Sequence, residues 1–259
     1  KIRKHISFSE LKIWNECPYK HKLVYKDKIK EFLGNEYTAF GTAIHHVCEN
    51  IALNKSKNML DEFNQKFLEE LKILTEKKVE LKKDLVQDMR SQAENILKYI
   101  LPELRKTFSN FEVVSVEEEL YLPIENTDMM FKGFIDLVIK TPDGKHHIID
   151  WKTCSWGWDS KKKTDRVTSY QITLYKKFFA SKHNLDPKNI ETYFALLKRT
   201  AKSNNVEIFR VTSGSKKTDN ALNLLNKAVY NISKDNHIKN RLSCTSGFGC
   251  EFYNTEHCR

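Results

Sequence analysis

Apolar positions in the first part of the chain recur at helical spacing. Phe40, Ile44, Val47 and Ile51 follow one another at intervals of four, three and four residues, so they share one helix face and make it core. Upstream, Ser7-Phe8-Ser9-Glu10 has the Ser-x-x-Glu form of a capping box, and Leu11, Trp14 and, after Pro18, Leu23 and Val24 predict helical segments. Amphipathic runs over about residues 59–76 and 84–107 predict two longer helices, with Pro102 expected to kink or break the second. The period changes at Phe111. From Phe111 to Ile124, Met130 to Ile139 and His146 to Lys152, short β-forming runs are separated by turn residues, of which Thr141-Pro142-Asp143-Gly144 is the clearest group. Three strands joined in this way predict an antiparallel meander. A helix over about 165–183, strands over 191–198 and 206–211, and a last helix over 217–233 complete an order that reads as an α/β sandwich.

Length and charge narrow the class. At 259 residues the chain can bury a full core. Lys plus Arg number 44 against 34 Asp plus Glu, a formal charge of +10 that favours a polyanionic partner. Ordinary solubility charge gives a similar balance, so motifs must decide. No window approaches the roughly 18 uninterrupted apolar residues of a membrane span, and Lys1-Ile2-Arg3-Lys4-His5 lacks the apolar core of a signal peptide. An intracellular, cytoplasmic protein with no membrane partner is therefore expected. Six cysteines in a long lysine-rich chain point to metal or cluster ligation before disulfides.

The chemistry concentrates on two of the strands. Gly133-Phe134-Ile135-Asp136-Leu137-Val138-Ile139 sets one carboxylate in an otherwise apolar strand, and the next strand ends Ile148-Ile149-Asp150-Trp151-Lys152. Asp150 and Lys152 are two apart, so they project from one face while Trp151 points to the other. A hairpin between the strands brings Asp136 beside them. Two carboxylates held together raise each other's pKa unless a cation neutralises them. Oxygen donors suit Mg²⁺ or Mn²⁺, which would activate water, while the lysine orients it or stabilises charge on a phosphorane-like transition state. Asp-x-Lys alone is a common tripeptide and by itself reads more readily as surface charge at a strand end.

Further elements occur in order around it. A Ser-x-x-Glu-Leu helix ends in Cys17-Pro18-Tyr19, Gly41-Thr42-Ala43-Ile44-His45 follows, and Gln171-Ile172-Thr173-Leu174-Tyr175 lies after the two strands. With these, nearly the whole chain resembles the RecB-like branch of the PD-(D/E)XK nucleases, which includes recombination helicase-nuclease domains, viral exonucleases and CRISPR-associated adaptation nucleases. The resemblance implies a restriction-endonuclease-like core with a mixed central sheet flanked by helices. It divides the chain into an N-terminal helical region (1–110), a nuclease core (111–236) and a cysteine-bearing C-terminal tail (237–259). It implies a metal-dependent DNA nuclease acting on DNA ends or single strands as an exonuclease. Asp136, Asp150 and Lys152 would be catalytic, His45 a further metal ligand in preference to His46, and Gln171 and Tyr175 would border the site. Proteins of recombination, replication or CRISPR adaptation are the implied partners. The alternative is a non-catalytic DNA-binding or assembly subunit, against which the intact Asp136, Asp150 and Lys152 argue. Of Glu117-Glu118-Glu119, one could reach the site, and the sequence does not choose.

In several RecB-like nucleases one upstream and three C-terminal cysteines hold a [4Fe-4S] cluster, and Cys17, Cys244, Cys250 and Cys258 have that layout, with wider spacing than the family often shows. Four-cysteine zinc and no metal stay open. Cys48 and Cys154 are expected to be ordinary thiols. Beyond the second catalytic strand, Trp156, Trp158, Lys161, Lys162 and Lys163 combine aromatics with lysines, a composition that binds single strands by stacking and phosphate neutralisation, or else a packed Trp pair beside a solvated loop.

Overall fold

The computed structural model describes residues 4–29, 31–247 and 249–259. In chain order the elements are β1 (His5–Ser7), α1 (Phe8–Glu16), α2 (Pro18–His21) running into one π turn (Lys22–Lys26), α3 (Glu36–Ala52), α4 (Met59–Glu76) and α5 (Lys83–Phe108). Then come β2 (Glu112–Pro123), β3 (Met130–Lys140), β4 (His146–Cys154), α6 (Ser160–Lys163), α7 (Arg166–His183), β5 (Ile190–Lys198), β6 (Val206–Val211) and α8 (Ser215–Ser233). The mixed sheet flanked by helices agrees with the restriction-endonuclease-like α/β fold expected from the sequence.

Two compact units are formed, one from the described residues up to Phe32 with Leu120–Gly133 and Ser215–Arg259, the other from Leu33–Glu119 and Phe134–Gly214. In the first unit β1 pairs in parallel with the start of β3, Ile6 opposite Phe131. This strand of three residues is too short to carry a readable period, so the hydrophobic pattern does not predict it. Ser7 closes β1 and caps α1, its Oγ accepting from the Glu10 backbone N–H at 3.3 Å. The Glu10 side chain is buried against His21, whose Nε2 lies 2.7 Å from Oε1, and this pair joins α1 to α2.

The second unit holds the site. Its α3 is capped by Asn35, which exchanges hydrogen bonds with Thr38, and buries Phe40, Ile44, Val47 and Ile51 as the spacing predicts. Phe40, Phe63 and Phe67 pack as an aromatic cluster, Phe40 edge-on to the other two, where α3 meets α4. The expected break at Pro102 does not occur, and α5 runs on to Phe108. A proline inside a helix costs about 3 kcal/mol, but Ile100 and Leu104 on either side are fully buried and each contributes roughly 1.5–3 kcal/mol by that burial. Packing outweighs the lost hydrogen bond.

In the sheet of this unit β4 is central. It pairs antiparallel with β3, Leu137 opposite Ile149, and parallel with β5, Asp150 opposite Phe194, while β6 closes the far side antiparallel to β5. The β3–β4 pairing is the hairpin the meander predicts, and β2 pairs with β3. The parallel β4–β5 pair requires a crossover, which α6 and α7 provide. Strands β4 and β5 are buried on both faces, which explains their nearly continuous apolar runs. No helix among the described residues is long and apolar enough to cross a membrane.

Candidate active site

Strand β4 presents Asp150 and Lys152 on one face and sinks Trp151 into the core on the other, where it is 1% exposed. The Trp151 backbone N–H donates to Asp136 Oδ2 at 2.7 Å, which fastens the β3 carboxylate to the neighbouring strand. Lys152 Nζ lies 2.6 Å from Asp150 Oδ2 and donates to Gln171 Oε1 at 2.8 Å. Gln171 and Tyr175 stand one turn apart on α7, and Gln171 Nε2 donates in turn to the Tyr175 hydroxyl at 3.2 Å. The Lys152 ammonium also lies 5.7 Å from the Phe194 ring centroid. Its position is therefore set from three sides.

From α3, His45 faces the strands with Nδ1 3.9 Å from Asp136 Oδ2. His46 is exposed and lies 3.4 Å from Asn50 Nδ2, so of the two histidines His45 faces the carboxylate. Asp136, Asp150, Lys152, His45, Gln171 and Tyr175 are thus brought into one constellation.

Two carboxylates join it that the sequence motifs do not include. Glu49 lies on α3 one turn beyond His45, and it hydrogen-bonds Glu117 of β2. Glu117 has φ +46 inside a strand. The irregularity shows in the packing, where Phe111 and Val113 face the core two apart but the next core-facing residue is Val116, three further on. The positive φ at Glu117 accompanies this break in alternation, and Glu117 meets Glu49 of α3. Of the neighbouring pair, Glu118 is buried against Ser115, Lys182 and His183, and Glu119 is exposed. The spacing from His45 to Glu49 is the signal that could have found Glu49. Nothing in the sequence marks the positive φ at Glu117.

The electrostatics follow from burial. Asp136 is pushed well above the usual carboxylate range, first by burial and then by Asp150, against the pull of Lys152 and the Trp151 N–H. Asp150 is raised by burial, with Lys152 opposing. Burial and then Glu117 push Glu49 up to about 8. Burial, followed by the Lys152 charge, pushes His45 down to about 4, leaving a neutral imidazole. Burial and then Asp150 raise the Tyr175 hydroxyl, which therefore stays protonated. The centre gathers more acidic groups than one ammonium can balance, and their raised proton affinities follow from burial and from that excess. Among the described residues, no three His, Cys, Asp or Glu side chains are gathered closely enough to hold a metal ion.

The remaining predicted residues fall into two groups. Trp156 is 78% exposed, and Lys161 and Lys162 are exposed beside it. Trp158 instead packs on Phe194 and Phe209, and Lys163 is paired with Glu207. In the first unit, Cys17, Cys244, Cys250 and Cys258 line one small pocket with Lys20, Arg241 and Phe252. Cys17 Sγ accepts from the Asn240 N–H at 3.3 Å, and the Cys250 N–H donates to the Cys244 carbonyl at 2.9 Å. Cys48 and Cys154 are thiols in the second unit, and burial raises both. A larger cavity of about 1790 Å³, among Lys4, His21, Tyr25, Tyr121 and Tyr230, belongs to the first unit and contains none of the carboxylates described above.

A family model described as the PD-(D/E)XK nuclease superfamily matches residues 5–255. A crystal structure of a protein from Eubacterium rectale, assigned as an exonuclease, superposes with a TM-score of 0.60 at 15% identity, covering 94% of this chain and 86% of that one. The crystal structure of SSO0001 aligns at 13% identity and a TM-score of 0.44, over 97% of this chain and 85% of that one. No curated protein matches the chain.

Proposed function

The chain belongs to the PD-(D/E)XK nuclease superfamily, and on that premise we propose that it is a divalent-metal-dependent deoxyribonuclease that removes nucleotides from DNA ends or single strands. The observation that carries this reading is the pair of buried carboxylates, Asp136 and Asp150, on adjacent strands with a single ammonium, Lys152, set against them. Two mutually repelling acids and a neutral imidazole are donors of the type a hard divalent cation takes, and the three would draw closer together than they now stand to share one. Asp136, Asp150 and His45 would hold Mg²⁺ or Mn²⁺, which when bound supplies positive charge at the scissile phosphate and lowers the pKa of water. Lys152 orients the attacking water and stabilises the negative charge that grows on the phosphoryl oxygens. Gln171 holds that ammonium in position through Oε1, and Tyr175 steadies Gln171 by accepting from its Nε2. Trp156, Lys161 and Lys162 guide a strand by stacking and phosphate neutralisation, with Trp158 and Lys163 supporting the loop from beneath. Recombination, replication or adaptation proteins are the expected company of such an enzyme in a cytoplasmic setting.

Digestion of linear, circular, 5′-blocked and 3′-blocked DNA tests the reading. Linear DNA should shorten from one unblocked end while circles persist. Equal cutting of circles would replace exonuclease by endonuclease, and DNA binding without cleavage would favour an assembly subunit.

The cysteine pocket is assigned to a [4Fe-4S] cluster, with zinc as the alternative. The four cysteines line one pocket and supply the sulfur donors that either group takes, and they would close up around it from their present spacing. When bound, the cluster would tie the segment at Cys17 to the C-terminal tail. Anaerobically purified protein is expected to show a visible absorbance band with about four irons, lost in Cys250→Ser. Zinc in its place, or neither metal, would remove the cluster assignment.

A further inference from the structure

Phe134 stands apart from the rest of its strand. From Ile135 to Ile139 the side chains of β3 are buried, yet Phe134 keeps 41% of its surface open. It is two residues before Asp136, so both project from the same face of the strand, about 7 Å apart along it. Its backbone hydrogen-bonds the Tyr175 hydroxyl. Tyr175 receives Gln171 Nε2 at 3.2 Å, and Gln171 Oε1 receives the Lys152 ammonium at 2.8 Å. The stem of the aromatic ring is therefore tied by successive hydrogen bonds to the group set to act on the scissile phosphate. A ring on a strand held in this way is placed more accurately than one on a loop such as Trp156.

We infer that Phe134 is a substrate-positioning residue, on which the nucleobase next to the scissile phosphate stacks, so that the enzyme takes an unpaired nucleotide. The inference rests on the nuclease reading and specifies its substrate. Base and phosphate of one nucleotide are separated by a single sugar, a span of the order that divides Phe134 from the Asp136 carboxylate. Stacking on an aromatic ring is indifferent to base identity, because every base has a π face. It is not indifferent to pairing. Inside a duplex the faces of a base are covered by its neighbours, and exposing one costs a few kcal/mol. A single strand or a frayed end avoids that cost.

The test uses the full chain and a single-stranded oligonucleotide carrying one abasic position at the cleaved nucleotide. Phe134→Ala should raise KM about 10–100-fold with kcat changed less than about threefold. Phe134→Trp should keep the wild-type KM, and Phe134→Leu, apolar and similar in bulk, should not restore it. The abasic substrate should cost the wild type the same factor and cost Phe134→Ala nothing further. Unchanged KM in Phe134→Ala, full rescue by leucine, or additive losses would overturn the inference. Anisotropy of a labelled oligonucleotide in EDTA reads the same comparison as Kd. If no variant and no wild type cleaves DNA, the nuclease reading fails, while the binding comparison still decides the role of Phe134.

Discussion

Asp136→Asn is expected to abolish DNA cleavage and, in the same protein, to raise the thermal stability of the metal-free form. Activity falls because the variant removes one of the anionic donors proposed for the metal, whose charge supplies several kcal/mol of transition-state stabilisation, so a loss of at least about 10³ in kcat follows. Stability rises because Asp136, 9% exposed, is held beside Asp150. Its folded proton affinity is raised well above the usual 3.8, by burial first and Asp150 second. A carboxyl of this kind supports the fold fully below its ordinary pKa, and that support is lost as pH rises toward the folded value. Metal-free wild type therefore loses stability from about pH 4 upward, where asparagine loses none. A tenfold rise in proton affinity on folding is worth about 1.4 kcal/mol, or roughly 3–6 °C in Tm for a chain of this size. Asparagine keeps an oxygen to accept the Trp151 N–H, so the β3–β4 fastening survives. Differential scanning calorimetry in EDTA at pH 5 and pH 8 should find the gain larger at pH 8. An equal or lower Tm in the variant at pH 8 would contradict the electrostatic account.

Lys152→Ala should have the opposite sign on stability and a comparable effect on rate. The ammonium is 2.6 Å from Asp150 Oδ2, and Asp150 is 2% exposed. Deleting it leaves a buried carboxylate without its counter-charge, which lowers Tm by roughly 5–10 °C. Since the lysine acts on charge that develops only in the transition state, kcat should fall about 10²–10³ with KM little changed. Lys152→Arg should not rescue the rate, because a planar guanidinium cannot meet both Asp150 and Gln171 as a compact ammonium does. Steady-state kinetics on a labelled single strand check this. A rise in KM alone would make Lys152 a DNA-binding residue instead.

Much of the constellation was legible from the sequence because two periods preserve it. The strand period of two keeps Asp150 and Lys152 together, and the helical turn keeps Gln171 with Tyr175. What was not legible lies where a period is broken or overridden. Glu117 meets α3 where the alternation of β2 breaks, and a positive φ at a glutamate leaves no mark in the residue string. Glu49 was visible at one turn from His45, but its significance needs Glu117 opposite it. Pro102 signals a break that the buried Ile100 and Leu104 override. The two tryptophans of the loop look equivalent in sequence, and tertiary packing separates the buried face of Trp158 from the exposed Trp156.

The most direct measurement is cleavage of a labelled single-stranded DNA by the wild-type chain at increasing Mn²⁺, beside an EDTA control and Asp150→Ala. Turnover is expected to rise with the metal and saturate, with none in EDTA and none in the variant. Turnover that persists in EDTA, or that Asp150→Ala retains, would contradict a centre built on Asp136, Asp150 and Lys152.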